Sequence, residues 1–142
     1  MAQLTFTNPE PTWGLALIAL GEAVRLWAAS HIGLISRTRE AGVGVLVTSG
    51  PYRFVRNPLY VGNTLMAAGF GALSHPALAL AWALLTAVFY VPIVRWENAQ
   101  LRAAHGDAWP RDDRPADWAM GLRSERSTLV VWTVAVGLAM FR

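Results

Sequence analysis

The residues best suited to chemistry fall in two short stretches, Ser49–Gly62 and Arg95–Asn98. The first sets two guanidinium groups, Arg53 and Arg56, between the phenols of Tyr52 and Tyr60. The second places a cation, an indole, a carboxylate and an amide side by side as Arg95, Trp96, Glu97 and Asn98. Such groups suit a ligand with an amino acid-like head and a flat ring: guanidinium pairs with carboxylate, carboxylate with ammonium, and aromatic faces with a ring. Pro51 and Pro58 disfavour helix at the residues before them, Gly50 and Asn57, so the first stretch should turn. Pro58 then suits the first turn of a helix, where its missing N–H costs nothing. The pattern predicts a pocket rim at the mouth of an apolar helix.

The elements that must position these groups are themselves apolar. The 142-residue chain is 54% hydrophobic and 15% charged, with a mean hydropathy of +0.35, against roughly 25% charged in soluble domains. This composition predicts one all-α membrane domain over residues 1–142. The absence of cysteine excludes a disulfide framework and a thiolate metal site. All twelve basic residues are arginine, and the pI near 10.2 would suggest nucleic acid in a soluble protein. Here the arginines lie in loops between apolar segments, where they orient a protein in a bilayer, so no nucleic-acid partner is expected. The opening residues carry no positive n-region, which argues against a cleaved signal peptide.

Four apolar segments follow from the pattern. The first, Trp13–Ile35, is about 34 Å long as a helix, enough for a hydrocarbon core of about 30 Å. Within it Glu22 and Arg25 share a face, and each alone would cost about 2.5–3.5 kcal/mol at the bilayer centre. They either pair with each other or line a polar cavity. His31 reads as interfacial. The second segment, Leu59–Leu73, is rich in small residues, and Gly62, Gly69 and Gly71 allow another helix to approach closely. Ser74-His75-Pro76 is a minimal turn in which His75 reads as a solvated loop residue. Ala77–Val94 is the third span, so these two segments form a central antiparallel hairpin. Pro92 predicts a kink by freeing the carbonyl of Val88. The last segment, Thr128–Phe141, is about 21 Å as a helix and needs bilayer thinning or its polar ends, Ser127 and Arg142, to span.

Two polar stretches separate these segments. Ser36–Asn57 carries Arg37, Arg39, Arg53 and Arg56 against Glu40, and its Gly42–Val47 portion reads as a short strand or an extended pass over the membrane surface. Arg95–Ser127 carries six arginines and six acids. Its Asp107, Asp112, Asp113 and Asp117 are interleaved with Arg111 and Arg114, so a self-neutralising loop is expected and no metal site. With four spans the two stretches share one side, which holds ten of the twelve arginines. The positive-inside rule makes that side cytoplasmic. An antiparallel hairpin joins its free ends, so Arg53–Tyr60 and Arg95–Asn98 converge at the cytoplasmic end of an apolar groove with room for a lipid-soluble second ligand.

Gly50-Pro-Tyr-Arg-Phe-Val-Arg-Asn-Pro-Leu-Tyr-Val-Gly62 resembles the signature of the isoprenylcysteine carboxyl methyltransferase and phospholipid methyltransferase group, integral membrane enzymes that use S-adenosylmethionine. Glu97-Asn-Ala-Gln-Leu101 and His105-Gly-Asp-Ala-Trp109 are similar to that group's second signature, and Leu46-Val-Thr48 fits the approach to the first. The resemblance covers Val45–Trp109. It implies methyl transfer to a lipophilic acceptor: a carboxylate, amine or hydroxyl of a small lipid or prenylated compound. The expected place is the cytoplasmic face of a bacterial inner membrane. By that resemblance Tyr52, Asn57, Pro58, Tyr60, Gly62 and Glu97 form the cofactor site, with Thr48 and Gly50 near the adenine. Glu97 would take the cofactor's ammonium and Arg56 its carboxylate. Arg95 would share the catalytic role with Glu97 and meet a substrate anion, beside Asn98. Asn57 stands where the group has histidine, Asn98 where it has a second glutamate, and His105 where it has an aromatic residue. Asn57 exchanges hydrogen bonds but cannot act as a base near neutral pH. Transfer from a sulfonium is an in-line displacement, so catalysis is mostly positioning, with a base needed only for a protonated nucleophile.

Two other readings fit the same residues. A small four-span transporter would use Glu22 as a proton-coupled carboxylate, although Arg25 lies one turn away. A non-catalytic member of the same fold would explain Asn57 and Asn98. Membrane lipids are the expected surroundings, and the small-residue faces and short last span would suit a homodimer.

Overall fold

The computed structural model describes residues 12–32, 46–106 and 111–140. These are helical apart from short connections and one two-residue strand pair. Helix α1 spans Thr12–Ile32, β1 Leu46–Val47, α2 Pro58–Ser74, α3 Pro76–His105, β2 Arg111–Asp112 and α4 Trp118–Met140. A 3-10 turn, Gly50–Arg53, leads into α2. The helices pack as a row, α4 on α1, α1 on α2 and α2 on α3.

The α1–α2 contact rests on glycine. A Cβ at Gly21 would lie 2.6 Å from the Gly62 carbonyl oxygen, and one at Gly62 would lie 2.7 Å from that of Gly21. Gly14 and Gly69 repeat the contact one heptad away, at 2.8 and 2.5 Å. These separations are well inside van der Waals contact, so the backbones meet only because no side chain intervenes. The pairing also makes the two helices antiparallel. At the next corner His75 is exposed as expected, and its Nδ1 accepts from the Ala77 N–H at 3.1 Å, capping α3.

Two helical stretches, Trp13–Ile32 and Pro76–Ala103, are long and apolar enough to cross a membrane. On α3 Leu80, Leu84, Val88 and Phe89 are all more than half exposed, a stripe that water would not tolerate and lipid would.

Several boundaries differ from expectation. α3 does not end at Val94: it runs through Pro92 and Arg95–Asn98 to His105, so the second polar cluster sits on a helix. Good helix formers fill that stretch, and Gly106, at φ +61, stops it. α4 begins at Trp118 in place of Thr128, because Asp117 Oδ1 accepts from the Met120 N–H at 2.9 Å and caps it. Leu46 and Val47 pair in parallel with Arg111 and Asp112. The rest of Gly42–Val47, with Arg37, Arg39, Glu40, Asp107 and Trp109, lies outside the described residues. His31, expected at the interface, is buried. Its Nδ1 lies 3.1 Å from Ser49 Oγ and 3.3 Å from the Arg114 carbonyl oxygen, tying the end of α1 to both loops.

Candidate functional site

Tyr60 stands in the first turn of α2 and Glu97 near the end of α3, and the antiparallel hairpin brings them together. The Tyr60 hydroxyl donates to Glu97 Oε1 at 2.6 Å. Tyr60 also stacks on Tyr90, with ring centroids 4.2 Å apart and planes 14° from parallel. Tyr60 reaches from α2 toward α3, and Tyr90 reaches the other way, its oxygen accepting from Asn63 Nδ2 at 2.6 Å. Glu97 Oε2 has no protein partner among the described residues.

Two clefts open in this part of the molecule. One, of about 380 Å³, lies between α2 and α3, with Asn57 and Tyr60 at its mouth and Val61, Leu65, Ala87 and Val94 along its walls. The other, of about 390 Å³, is more polar and is bordered by Thr48, Tyr52, Arg53 and Arg56. Val55 borders both. Asn57 is the N-cap residue of α2, yet its side chain makes no capping bond, which leaves the amide uncommitted at the border. The Tyr52 hydroxyl is buried without a hydrogen-bond partner. Burial raises its pKa above the ordinary phenol value, and the nearby Glu125 anion adds to the rise.

Residues 10–108 match the model of the phospholipid methyltransferase family. The chain belongs to that family. It is 38% identical over 94 residues to the "Cobalt-zinc-cadmium resistance protein CzcN" of Cupriavidus metallidurans, covering 66% of this chain and 41% of that protein. It is 35% identical over 88 residues to the "Nickel-cobalt-cadmium resistance protein NccN" of Alcaligenes xylosoxydans xylosoxydans, covering 61% of this chain and 38% of that protein. The chain thus spans about two fifths of the length of these curated relatives. No solved structure matches it significantly.

Family membership gives the residues of both motifs a common setting. Thr48, Tyr52 and Arg56 border the polar cleft, while Asn57, Tyr60 and Glu97 gather at the border with the apolar one. Three other motif positions shape the backbone. Gly50 has φ +58, and a Cβ there would lie 2.3 Å from the His31 ring. Pro58 is fully buried in the first turn of α2. Gly62 lies against Gly21 and the Arg25 stem. Arg95 is exposed and sits roughly 200° around α3 from Glu97, so the two do not act on one point. Asn98 is half-buried.

One group escaped the sequence reading. Glu125 of α4, 2% exposed, accepts from Arg25 Nε at 3.1 Å and Nη2 at 2.5 Å. Arg25 Nη2 also donates to Thr128 Oγ1 at 3.3 Å, and Nη1 donates to Asn63 Oδ1. Glu22 lies farther off, at 3.8 Å from Arg25 Nε. Of the two readings of Glu22 and Arg25, mutual pairing is therefore the weaker contact, and Arg25 reaches chiefly to α4 and α2. Glu125 follows the family match, which ends at residue 108, and nothing local marks it.

Proposed function

We propose that this chain transfers a methyl group from S-adenosylmethionine to a lipophilic acceptor taken from the surrounding membrane lipid, at the cytoplasmic face of a bacterial inner membrane. The observation that carries this reading is the Tyr60–Glu97 hydrogen bond, which ties the two motifs together beside the apolar cleft that Tyr60 lines, a cleft that shares Val55 with the polar one. The residues fit such a cofactor: Tyr52 holds a buried hydroxyl without a partner, Asn57 an amide its helix does not use, and Glu97 an oxygen its neighbours leave open. S-adenosylmethionine supplies an electrophilic methyl carbon on a sulfonium.

Glu97, its Oε1 fixed by Tyr60, offers Oε2 to an ammonium. Arg56, on the rim of the polar cleft, suits a carboxylate, and Thr48 and Tyr52 line the side suited to an adenine. Gly50, Pro58 and Gly62 hold the backbone that presents them. Val61, Leu65, Ala87 and Val94 receive the acceptor's apolar part and keep water from the border, which favours an in-line approach through positioning. Asn98, half-buried at the polar end of α3, would meet a polar head on the acceptor, whereas Arg95 faces away from Glu97 and is left to the membrane surface. In this reading all four helices cross the membrane, the arginine-rich stretches face the cytoplasm, and a second copy packs against the small-residue faces. The metal resistance named for the relatives is not carried over.

Titration calorimetry with S-adenosylmethionine and S-adenosylhomocysteine, in detergent and in lipid nanodiscs, tests the reading. Binding is expected, weakened at least about tenfold by Glu97→Ala, as for a charge-assisted contact. Absence of binding in both media would refute it. A transporter reading draws on one observation, the two Glu22 carboxylate oxygens buried without hydrogen-bond partners. It requires substrate-driven proton flux in liposomes that Glu22→Gln abolishes.

A further inference from the structure

The apolar cleft contains a donor that the methyl-transfer reading leaves unused. Arg25 carries only N–H groups, so its contact with Asn63 turns Oδ1 toward α1 and Nδ2 toward α3. Nδ2 can only donate, so in its 2.6 Å bond with Tyr90 the phenol oxygen is the acceptor. The Tyr90 proton must therefore point elsewhere, and no described residue accepts it. Tyr90 lines the cleft, and its ring is held by the stack on Tyr60. Most of the remaining lining is apolar, Val55, Val61, Leu65, Ala87 and Val94, and its polar members are Asn57, Tyr60 and Thr64, of which Tyr60 donates to Glu97 and Thr64 to the Tyr60 carbonyl oxygen. An O–H held rigidly among such walls is costly to leave unmet and selective when it is met.

We infer that Tyr90 is a specificity-determining hydrogen-bond donor to an oxygen, such as a carbonyl, ether or phenol oxygen, on the lipophilic ligand of this cleft, about two helical turns along α3 from Glu97. Arg25 acts through Asn63 as the positioning residue that fixes the direction of this bond. Naming that ligand the methyl acceptor rests on the reading above. The preference for an oxygen does not.

Benzophenone, an apolar aryl ketone that photocrosslinks its neighbours, is a suitable probe, with diphenylmethane as the competitor of similar shape lacking the oxygen. The purified 142-residue chain in detergent is irradiated over a benzophenone titration, and labelled peptides are mapped by mass spectrometry. Labelling is expected on the α2 and α3 segments around Val61–Leu65 and Ala87–Val94. Half-saturation should need about tenfold more benzophenone in Tyr90→Phe, which keeps the ring and loses the donor. Diphenylmethane should compete equally in both proteins. Asn63→Asp is the second variant: its carboxylate still pairs with Arg25 but accepts the Tyr90 proton, so it should weaken benzophenone labelling as Tyr90→Phe does. Unchanged half-saturation in both variants, or labelling spread over all four helices, overturns the inference. Calorimetry with S-adenosylmethionine runs in parallel. Cofactor binding without ketone selectivity defeats this inference alone, and ketone selectivity without cofactor binding defeats only the methyl-transfer reading.

Discussion

Arg25→Met should destabilise the helix row more than any other single polar change. Glu125 Oε2 accepts two bonds from this guanidinium while the Glu125 side chain is 3% exposed. Deleting the cation leaves that carboxylate buried without its partner, a loss of about 3–5 kcal/mol. Asn63 Oδ1 loses its donor at the same stroke. Methionine fills most of the vacated volume, so little of the effect comes from a cavity. In a domain of this size each kcal/mol moves the melting point by about 2–4 °C, so the midpoint should fall by roughly 10 °C. Tryptophan fluorescence during a thermal ramp in detergent reads this directly. The second arm adds Glu125→Gln to Arg25→Met, removing both charges, and should recover more than half of the loss, because a neutral pair avoids the orphaned ion. A single variant melting within about 2 °C of the native protein, or a double variant no better than the single, would refute the claim that this pair docks α4 onto α1.

Three further substitutions probe other links. Gly21→Ala forces a methyl to within 2.6 Å of the Gly62 carbonyl oxygen, so it should cost about 1–3 kcal/mol in the same melting assay as the α1–α2 backbones move apart. Gly50→Ala combines φ +58 with a clash against the His31 ring, and a loss of about 1–2 kcal/mol from the backbone alone is expected before the ring has moved. Tyr52→Phe should act with opposite signs in two assays. Removing a buried hydroxyl without a partner stabilises the free protein by about 1 kcal/mol, read as a higher melting point, and weakens S-adenosylmethionine binding measured by calorimetry. A fall in both would mean that the hydroxyl already has a partner within the protein.

The sequence spoke clearly where residues close in the chain decide the structure. The prolines at 51 and 58, the glycine-rich face of α2 and the His75 corner all act within a few residues, and the hairpin follows from them. Convergence of Tyr60 with Glu97 followed in turn, since an antiparallel pair must join its free ends. Helix ends were less legible. Arg95–His105 is polar, and polarity suggests a loop, although its residues favour helix and Gly106 is the first to break it. Arg25 was legible as a buried cation but not its partner, because Glu125 lies 100 residues away with no pattern to link them. His31 failed for the same reason: its partners, Ser49 and Arg114, come from two separate loops.

The direction of the hydrogen bonds gives the seam its functional logic. Arginine only donates, an ionised glutamate only accepts, and each hydroxyl or amide between them does both. From Arg25 the bonds run to Asn63 and on to Tyr90, and a separate bond runs from Tyr60 to Glu97. Between Tyr90 and Tyr60 the connection is a ring stack, so no proton is shared there. That gap leaves one proton on Tyr90 and one accepting oxygen on Tyr60 without partners among the described residues. Both rings line the cleft between α2 and α3. A fully bonded chain would have made this a structural strut. The break converts it into a pair of aimed, water-poor polar groups of opposite sense, which is what recognition of a mostly apolar molecule with a reactive polar end requires.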